Sequence, residues 1–194
     1  MARPPSLPRG SPLRRRLLRL YDALRRRFGP PGPIPGSAVS RLGSVRRRLE
    51  RRQGRRLRHF LRQPAPALRA ELVGIAGIGP RTADAVLLHA AGRPVFVADT
   101  ATRRVLERHR ILRPNARDGE LQALLMNNLP RDPALFHEYH ALLVRVAQEY
   151  CRATPHCAAC PLRPDLRGRP PAPPRARKGR GGASGGSSET LPSN

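Results

Sequence analysis

Two glycines set between apolar residues are the feature that most constrains this sequence. The segment reads Ile75-Ala76-Gly77-Ile78-Gly79-Pro80, and a helical pattern continues from Pro80 to about residue 91. Glycine permits the positive φ of a tight turn, and proline suits the first turn of a helix, where no N–H is required. The pattern predicts a compact hairpin between a short helix at 67–74 and a second helix at 80–91.

A hairpin of this kind points backbone N–H groups outward beside a helix N-terminus. Such groups form an anion site, and a phosphate held there is bound without regard to base sequence. A purely structural interpretation is also open, since Gly-Ile-Gly can be no more than a turn between packed helices. The candidate DNA-binding residues are Gly77, Ile78, Gly79, Arg81 and Thr82.

A lone acid, Asp99, follows the hairpin by about twenty residues and precedes the helical pattern Thr100-Ala101-Thr102-Arg103. Aspartate is common as a helix N-cap, and capping alone would explain it. A carboxylate beside a flipped nucleotide could also stabilise positive charge on the sugar or orient an attacking water. Both roles can coexist; for Asp99 taken in isolation capping is the simpler explanation, and the neighbouring sequence decides.

Charge is spread unevenly along the 194 residues, whose formal net charge is +25. Residues 1–70 hold 20 Arg against Asp22 and Glu50, a net of +18, whereas residues 71–166 have a net of only +2 and residues 167–194 add +5. A basic arm on a near-neutral core favours a polyanionic partner, above all nucleic acid. The alternative is a basic arm that only keeps the chain in solution.

No apolar run approaches the roughly 20 residues needed to span a membrane. Residues 1–30 also lack the continuous apolar stretch of a secretory signal. We therefore expect a protein of the bacterial cytosol or nucleoid, without a membrane partner.

Helical periodicity dominates the central part of the chain and predicts an all-α fold. Pro-rich residues 1–11 and Pro-, Arg-, Gly- and Ser-rich residues 167–194 are expected to be disordered, which leaves one helical domain at 12–166. Besides those flanking the hairpin, helices are predicted at 13–28, 38–62 and 133–150, with others starting after Asp99 and at Asp118.

Three cysteines crowd into ten residues, as Cys151, Cys157 and Cys160. In a chain expected in the cytosol, this spacing favours a metal site over disulfides.

The order of these features resembles the helix-hairpin-helix (HhH-GPD) DNA glycosylases of the endonuclease III-like superfamily, and most closely its endonuclease III-related branch. The resemblance runs from about Glu71 to Leu166 and includes the segment Pro94–Thr100. It implies a helical bundle with a small cysteine lobe at 151–166, double-stranded DNA as partner, and a monomer. It also implies that Asp99 is catalytic in base-excision repair, where the N-glycosidic bond of a damaged or mismatched base is hydrolysed.

Arg81 stands where bifunctional members of that family have the lysine that forms a Schiff base and cuts the strand. Arginine stays protonated near neutral pH and is a poor amine nucleophile. Lys178 is the only lysine in the chain. We therefore expect a monofunctional glycosylase.

The family's cysteine loop holds a [4Fe–4S] cluster through four thiolates. Here Leu166 occupies the place of the fourth cysteine, with His156 and Asp165 nearby. A labile cluster on three cysteines, a zinc ion that also uses His156, and a metal-free loop remain alternatives.

The N-terminal half is short, since only about 40 residues separate Gly29-Pro30 from Glu71. We expect a partly truncated fold in which one wall of the base pocket is missing and apolar helix surface is exposed. A catalytically inactive HhH DNA-binding protein is therefore the alternative function, and a ribosome-associated basic protein a weaker one. His137 and His140 are expected to be packing or solvated residues.

Overall fold

The computed structural model describes residues 10–30 and 37–173, and in these ranges the protein is helical with no strand. Two 3₁₀ turns, Gly54–Arg56 and Arg163–Leu166, accompany the helices. The all-α prediction is confirmed. The helices are α1 (Pro12–Phe28), α2 (Ser37–Gln53), α3 (Leu57–Arg62), α4 (Ala65–Val73), α5 (Pro80–His89), α6 (Thr100–Arg108), α7 (Asp118–Asn128) and α8 (Pro133–Glu149).

Helix α1 packs along α8, although the two lie at opposite ends of the described chain. Ser11 caps α1 by accepting the Arg14 N–H at 3.1 Å, which satisfies one of the unpaired N–H groups of the first turn. The buried Tyr139 hydroxyl donates to the Leu17 carbonyl at 2.9 Å, and its ring meets Tyr21 edge-on at 5.4 Å. The predicted opening helix is thus fastened to the helix that leads into the cysteine lobe.

The main core lies between α1, α6, α7 and α8 and includes the extended link at residues 95–98. Each large apolar side chain buried in it contributes about 1.5–3 kcal/mol relative to exposure. Side chains with no measurable exposure in this core include Leu24, Phe96, Leu106, Leu125, Phe136 and Leu142.

A second core is built by α2 to α5 together with the hairpin. Its buried members are Val45, Leu49, Phe60, Leu68, Leu72, Ile75, Ile78, Ala83, Val86 and Leu87. Helix α5 joins the two cores, since Leu87 belongs to the second and Leu88 to the main one. The expectation of exposed apolar surface is wrong for the described part of the chain, where Val73 is the only exposed large hydrophobic residue. Helices α2 and α3 cover the surface that a shortened N-terminal half was expected to leave bare.

The predicted helix at 38–62 is divided at Gly54, which has a φ of +50°. The chain turns there through the 3₁₀ segment and continues as α3, so Phe60 can enter the second core. The other predicted helices are confirmed within two residues at their ends.

Most of the predicted basic tail, and residues 1–9, lie outside the described residues. The first part of that tail, residues 167–173, runs against the end of α6, where the Ala172 N–H donates to the Arg108 carbonyl at 3.0 Å and Arg110 donates to the Pro170 carbonyl at 2.9 Å.

Candidate active site

The hairpin is anchored by its two isoleucines and leaves its glycines exposed. Ile75 and Ile78 are buried in the second core, and the Ile78 N–H donates to the Ile75 carbonyl at 2.9 Å. Gly77 has a φ of +80°, whereas Gly79 is extended and precedes Pro80 at the start of α5. Among the described residues, the N–H groups of Gly77 and Gly79 have no hydrogen-bond partner. Their free donors lie at the N-terminus of α5, where the helix dipole also favours an anion.

Arg48 of α2 lies directly over the hairpin. Its guanidinium donates to the Ala76 carbonyl, and Nη1 would lie 2.5 Å from a Cβ added to Gly77. A positive charge therefore lies beside the free N–H groups. No local sequence signal distinguishes Arg48 from the other arginines in the basic pattern of α2.

Asp99 is the N-cap of α6, which confirms the capping prediction. Its Oδ1 accepts the Thr102 N–H at 2.7 Å, and its Oδ2 lies 3.4 Å from Nε2 of His140. Burial by itself raises the pKa of the Asp99 carboxyl, but His140 and Thr102 outweigh it, so the pKa is lowered overall. Asp99 is thus an anion near neutral pH, and 28% of its side chain is exposed to solvent.

His140 lies on α8 with a side chain only 5% exposed. Neither of its ring nitrogens has a hydrogen-bond partner in the described part of the chain, since the 3.4 Å contact with Asp99 does not have the geometry of a hydrogen bond. Helical spacing predicts that His140 lies on the buried face of α8. Spacing within α8 does not indicate that Asp99 lies next to His140. The interpretation of His140 as a packing or solvated residue missed this contact.

Two more histidines adjoin His140. Nδ1 of His89 on α5 lies 3.0 Å from Nδ1 of His137, and the His89 ring is 5.4 Å from the His140 ring. Burial, followed by the charges of His140 and His137, lowers the pKa of His89 to about 3. His89 is therefore neutral beside the carboxylate site. Nothing in the local sequence around His89 predicted this cluster.

Arg81 connects the hairpin side of the site to the start of α6. Its Nε lies 2.7 Å from Oδ2 of Asp118, and Nη1 lies 3.5 Å from the Thr100 hydroxyl oxygen. Asp118 chiefly raises the pKa of Arg81, and Asp99 adds a smaller effect in the same direction. Because Thr100 directly follows Asp99, this contact links the first turn of α5 to the start of α6. Thr82 lies partly exposed in the first turn of α5.

The three cysteines line one pocket between α6, α8 and the final 3₁₀ turn. Cys151 is buried, and Cys157 and Cys160 are half-buried. Leu166, at the place of the expected fourth thiolate, is buried among apolar side chains of the same pocket. In the described ranges no group of three or more His, Cys, Asp or Glu side chains has metal-binding geometry.

The side chains that could replace the fourth cysteine do not reach the pocket as ligands. Asp165 is held by Arg16, at 2.8 and 2.7 Å, and by Nδ1 of His109 at 2.8 Å. Burial alone would raise the pKa of Asp165, but these partners lower it far below its usual range. His156 is exposed. The residues present therefore do not complete a four-ligand site for a [4Fe–4S] cluster.

Arg108 occupies the wall of this pocket instead. It is 3% exposed and donates to the Ala153 carbonyl at 2.8 Å, to the Arg152 carbonyl, and to Sγ of Cys151 at 3.2 Å. One guanidinium thus ties the start of the cysteine lobe to α6.

Sequence comparison finds relatives among DNA glycosylases. The chain is 40% identical over 96 residues to a protein of Methanocaldococcus jannaschii named as a DNA repair glycosylase, a match that covers 50% of this chain and 44% of the relative. It is 35% identical over 98 residues to endonuclease III of Bacillus subtilis, with the same coverage. Thymine/uracil-DNA glycosylase of Pyrobaculum aerophilum is 28% identical over 158 residues, which span 74% of this chain and 68% of that one.

The fold is also found in a solved structure of endonuclease III trapped as a covalent intermediate with DNA. The two superpose with a TM-score of 0.57 at 19% identity, and the match covers 80% of this chain and 99% of the other. The chain therefore has the fold of endonuclease III. No protein-family model matches the chain. Its matched segment spans less than half the length of the first relative.

None of the helices in the described ranges is both long and apolar enough to cross a membrane.

Proposed function

We propose that this chain is a DNA glycosylase that hydrolyses the N-glycosidic bond of a damaged or mismatched base in double-stranded DNA. The observation that supports this most is the contact of Arg81, in the first turn after the hairpin, with Thr100, the residue that follows the ionised Asp99. The names of the relatives favour the same activity.

The hairpin binds the DNA backbone in this proposal. The free N–H groups of Gly77 and Gly79 and the N-terminus of α5 donate to one phosphate, and Arg48 adds a charge beside them. Most of the affinity is then electrostatic and falls with salt. Ile75 and Ile78 anchor the hairpin in the second core, which holds its backbone in place.

Asp99 acts on the nucleotide next to that phosphate, once the nucleotide has left the helix. As the bond between C1′ and the base breaks, its electron pair leaves with the base and positive charge develops on the sugar. The carboxylate of Asp99 stabilises this charge and orients a water. The water adds its hydroxyl group to C1′, and its proton is taken up by the departing base.

The protein is monofunctional in this proposal. Arg81 stands at the position of the Schiff-base lysine, and its guanidinium is held by Asp118. Guanidinium stays protonated and does not attack the sugar. The abasic strand is therefore released uncut.

The cysteine lobe has a structural role in this proposal. Cys151, Cys157 and Cys160 could hold a [4Fe–4S] cluster only with a fourth ligand from outside the lobe, so no step of the reaction uses one. The protein acts as a monomer on DNA in the cytosol.

A DNA-binding protein without catalysis is the second candidate. The observation that favours it is that the matched segment spans only 44% of two of the relatives. Both candidates include salt-sensitive binding to DNA, so only base release separates them.

Base release by the wild type and by Asp99→Asn tests the proposal. Duplexes that contain alkylated, oxidised, deaminated or mismatched bases are incubated with each protein, and abasic sites are revealed by alkali. We expect release by the wild type and a loss of at least 100-fold in D99N, with DNA affinity retained. If neither protein releases any base although both bind DNA, the non-catalytic candidate is correct.

A further inference from the structure

We propose that His140 is a positioning residue for Asp99, and that its Nε2–H donates to Oδ2 of the carboxylate when the site is engaged with DNA. This inference rests on the proposed glycosylase function and deepens it.

The two oxygens of Asp99 have different partners. Oδ1 is fixed at 2.7 Å by the Thr102 N–H at the start of α6, which leaves rotation about one bond as the main freedom of the carboxylate. Oδ2 faces Nε2 of His140 across 3.4 Å, slightly too far for a good hydrogen bond. A small closure of the site would complete the pair. Catalytic hydrogen bonds are often long in the absence of substrate and tighten in the complex.

His140 has no other described partner for its nitrogens. A buried donor without an acceptor is unfavourable, because it has lost its hydrogen bonds to water without replacement. Both ring nitrogens are buried and unpaired, so the imidazole gains a hydrogen bond by approaching Asp99. Aromatic packing limits the ring to that approach, because Phe96 lies perpendicular to it at 6.2 Å and His89 lies 5.4 Å away.

Among the described residues, Asp99 is the only anionic side chain in contact with His140. From α5 it faces His89, which is neutral, and from α6 it faces Asp99. His137, on the same helix, is turned to His89 at 3.0 Å. Arg81 also interacts electrostatically with Asp99. The pair His140–Asp99 is thus a discrete unit between α8 and α6.

The carboxylate must meet the sugar from one direction to stabilise its developing charge. Without His140, Asp99 keeps the bond to Thr102 but its second oxygen is free to turn. We expect the rate of base release to fall roughly 10- to 100-fold, the effect of losing a hydrogen bond to a charged group. DNA affinity should not change, because the hairpin and Arg48 are untouched.

Three variants on one helix test the inference. His140→Leu removes the donor, His140→Gln places an amide N–H near the position of Nε2, and His137→Gln is the matched control. Single-turnover base release and DNA affinity are measured for each. We expect H140L to lose rate with unchanged affinity, H140Q to recover part of the rate, and H137Q to behave as wild type.

A second readout does not depend on catalysis. The carboxyl carbon of Asp99, assigned by its absence in D99N, is titrated by NMR in free protein and with an undamaged duplex bound. Loss of the His140 partner should raise the pKa of Asp99 in H140L and less in H140Q. An unchanged titration in both variants would overturn the inference. A raised pKa, in a protein whose wild type releases no base from any duplex, would leave the contact established and the proposed function wrong.

Discussion

The guanidinium of Arg81 makes a two-point ion pair with Asp118, with Nε 2.7 Å from Oδ2 and Nη2 3.2 Å from Oδ1. The side chain therefore spans the gap between α5 and α7 at the edge of the site, with Thr100 within 3.5 Å. An amine at this position would lie near Asp99 and, in the proposed reaction, near the deoxyribose.

Substitution Arg81→Lys should introduce a nucleophile at this edge. We expect R81K, and not the wild type, to form a covalent adduct with an abasic-site duplex that borohydride traps, because only a primary amine gives a Schiff base. Denaturing gels measure the adduct. Arg81→Gln is the matched control and should form none. An adduct of equal yield in the wild type would contradict the monofunctional proposal.

The two hairpin glycines should respond differently to alanine. Gly77→Ala forces an L residue to a φ of +80° and displaces Arg48, so we expect the free energy of unfolding to fall by about 1–2 kcal/mol. Gly79 has an extended φ and open space around a Cβ, so Gly79→Ala should leave stability nearly unchanged.

The Gly77→Ala and Gly79→Ala variants also distinguish an effect on protein stability from an effect on phosphate binding. A methyl group at Gly79 stands where the backbone meets the phosphate, and we expect G79A to weaken DNA binding several-fold at normal stability. Urea unfolding and fluorescence anisotropy at two salt concentrations measure both effects. Wild-type affinity in G79A would show that the phosphate does not approach this side of the hairpin.

The stability of the cysteine lobe should depend more on Arg108 than on the cysteine thiols. Arg108→Met removes a buried side chain that satisfies two carbonyls, and we expect the free energy of unfolding to fall by about 2–3 kcal/mol. Cys157→Ala removes a half-buried thiol and should change stability by less than about 1 kcal/mol. Chelator should not shift the unfolding midpoint. Protein isolated without oxygen that holds iron, and loses stability when Cys157 is replaced, would contradict this expectation.

Stability should fall in mild acid because of His89. Its pKa is about 3 in the folded protein against about 6.5 in an unfolded chain. Between these values the unfolded chain binds a proton at His89 and the folded chain does not, so stability decreases as pH falls from 6.5 towards 3. This single group accounts for at most about 1.4 kcal/mol per pH unit.

Substitution His89→Leu should remove the contribution of His89 to the pH dependence of the free energy of unfolding. Urea unfolding at pH 5 and pH 7.5 compares H89L with the wild type, and the exposed His59 on α3, replaced by Gln, serves as the control. Equal slopes in H89L and the wild type would contradict a neutral, buried His89.

Local patterns predicted the helices well because their signals act within a turn or two. Ser11 and Asp99 each accept an N–H three residues later, and the apolar stripe of α8 recurs at helical spacing. Gly54 was the exception. The stretch around Gly54 is basic and weakly amphipathic, so its pattern did not indicate that the helix ends there. The break allows Phe60 to enter the second core.

The sequence by itself determined the helices, the hairpin and the cap at Asp99, since each depends on residues close together in the chain. The tertiary structure decided what surrounds that cap. Arg48 reaches Ala76 across 28 positions and Arg81 reaches Asp118 across 37. His140 meets Asp99 only because α6 packs on α8 around a shared apolar core. Such pairs follow from how whole helix faces bury against one another, and the spacing of residues within one helix does not specify which partner each face will meet.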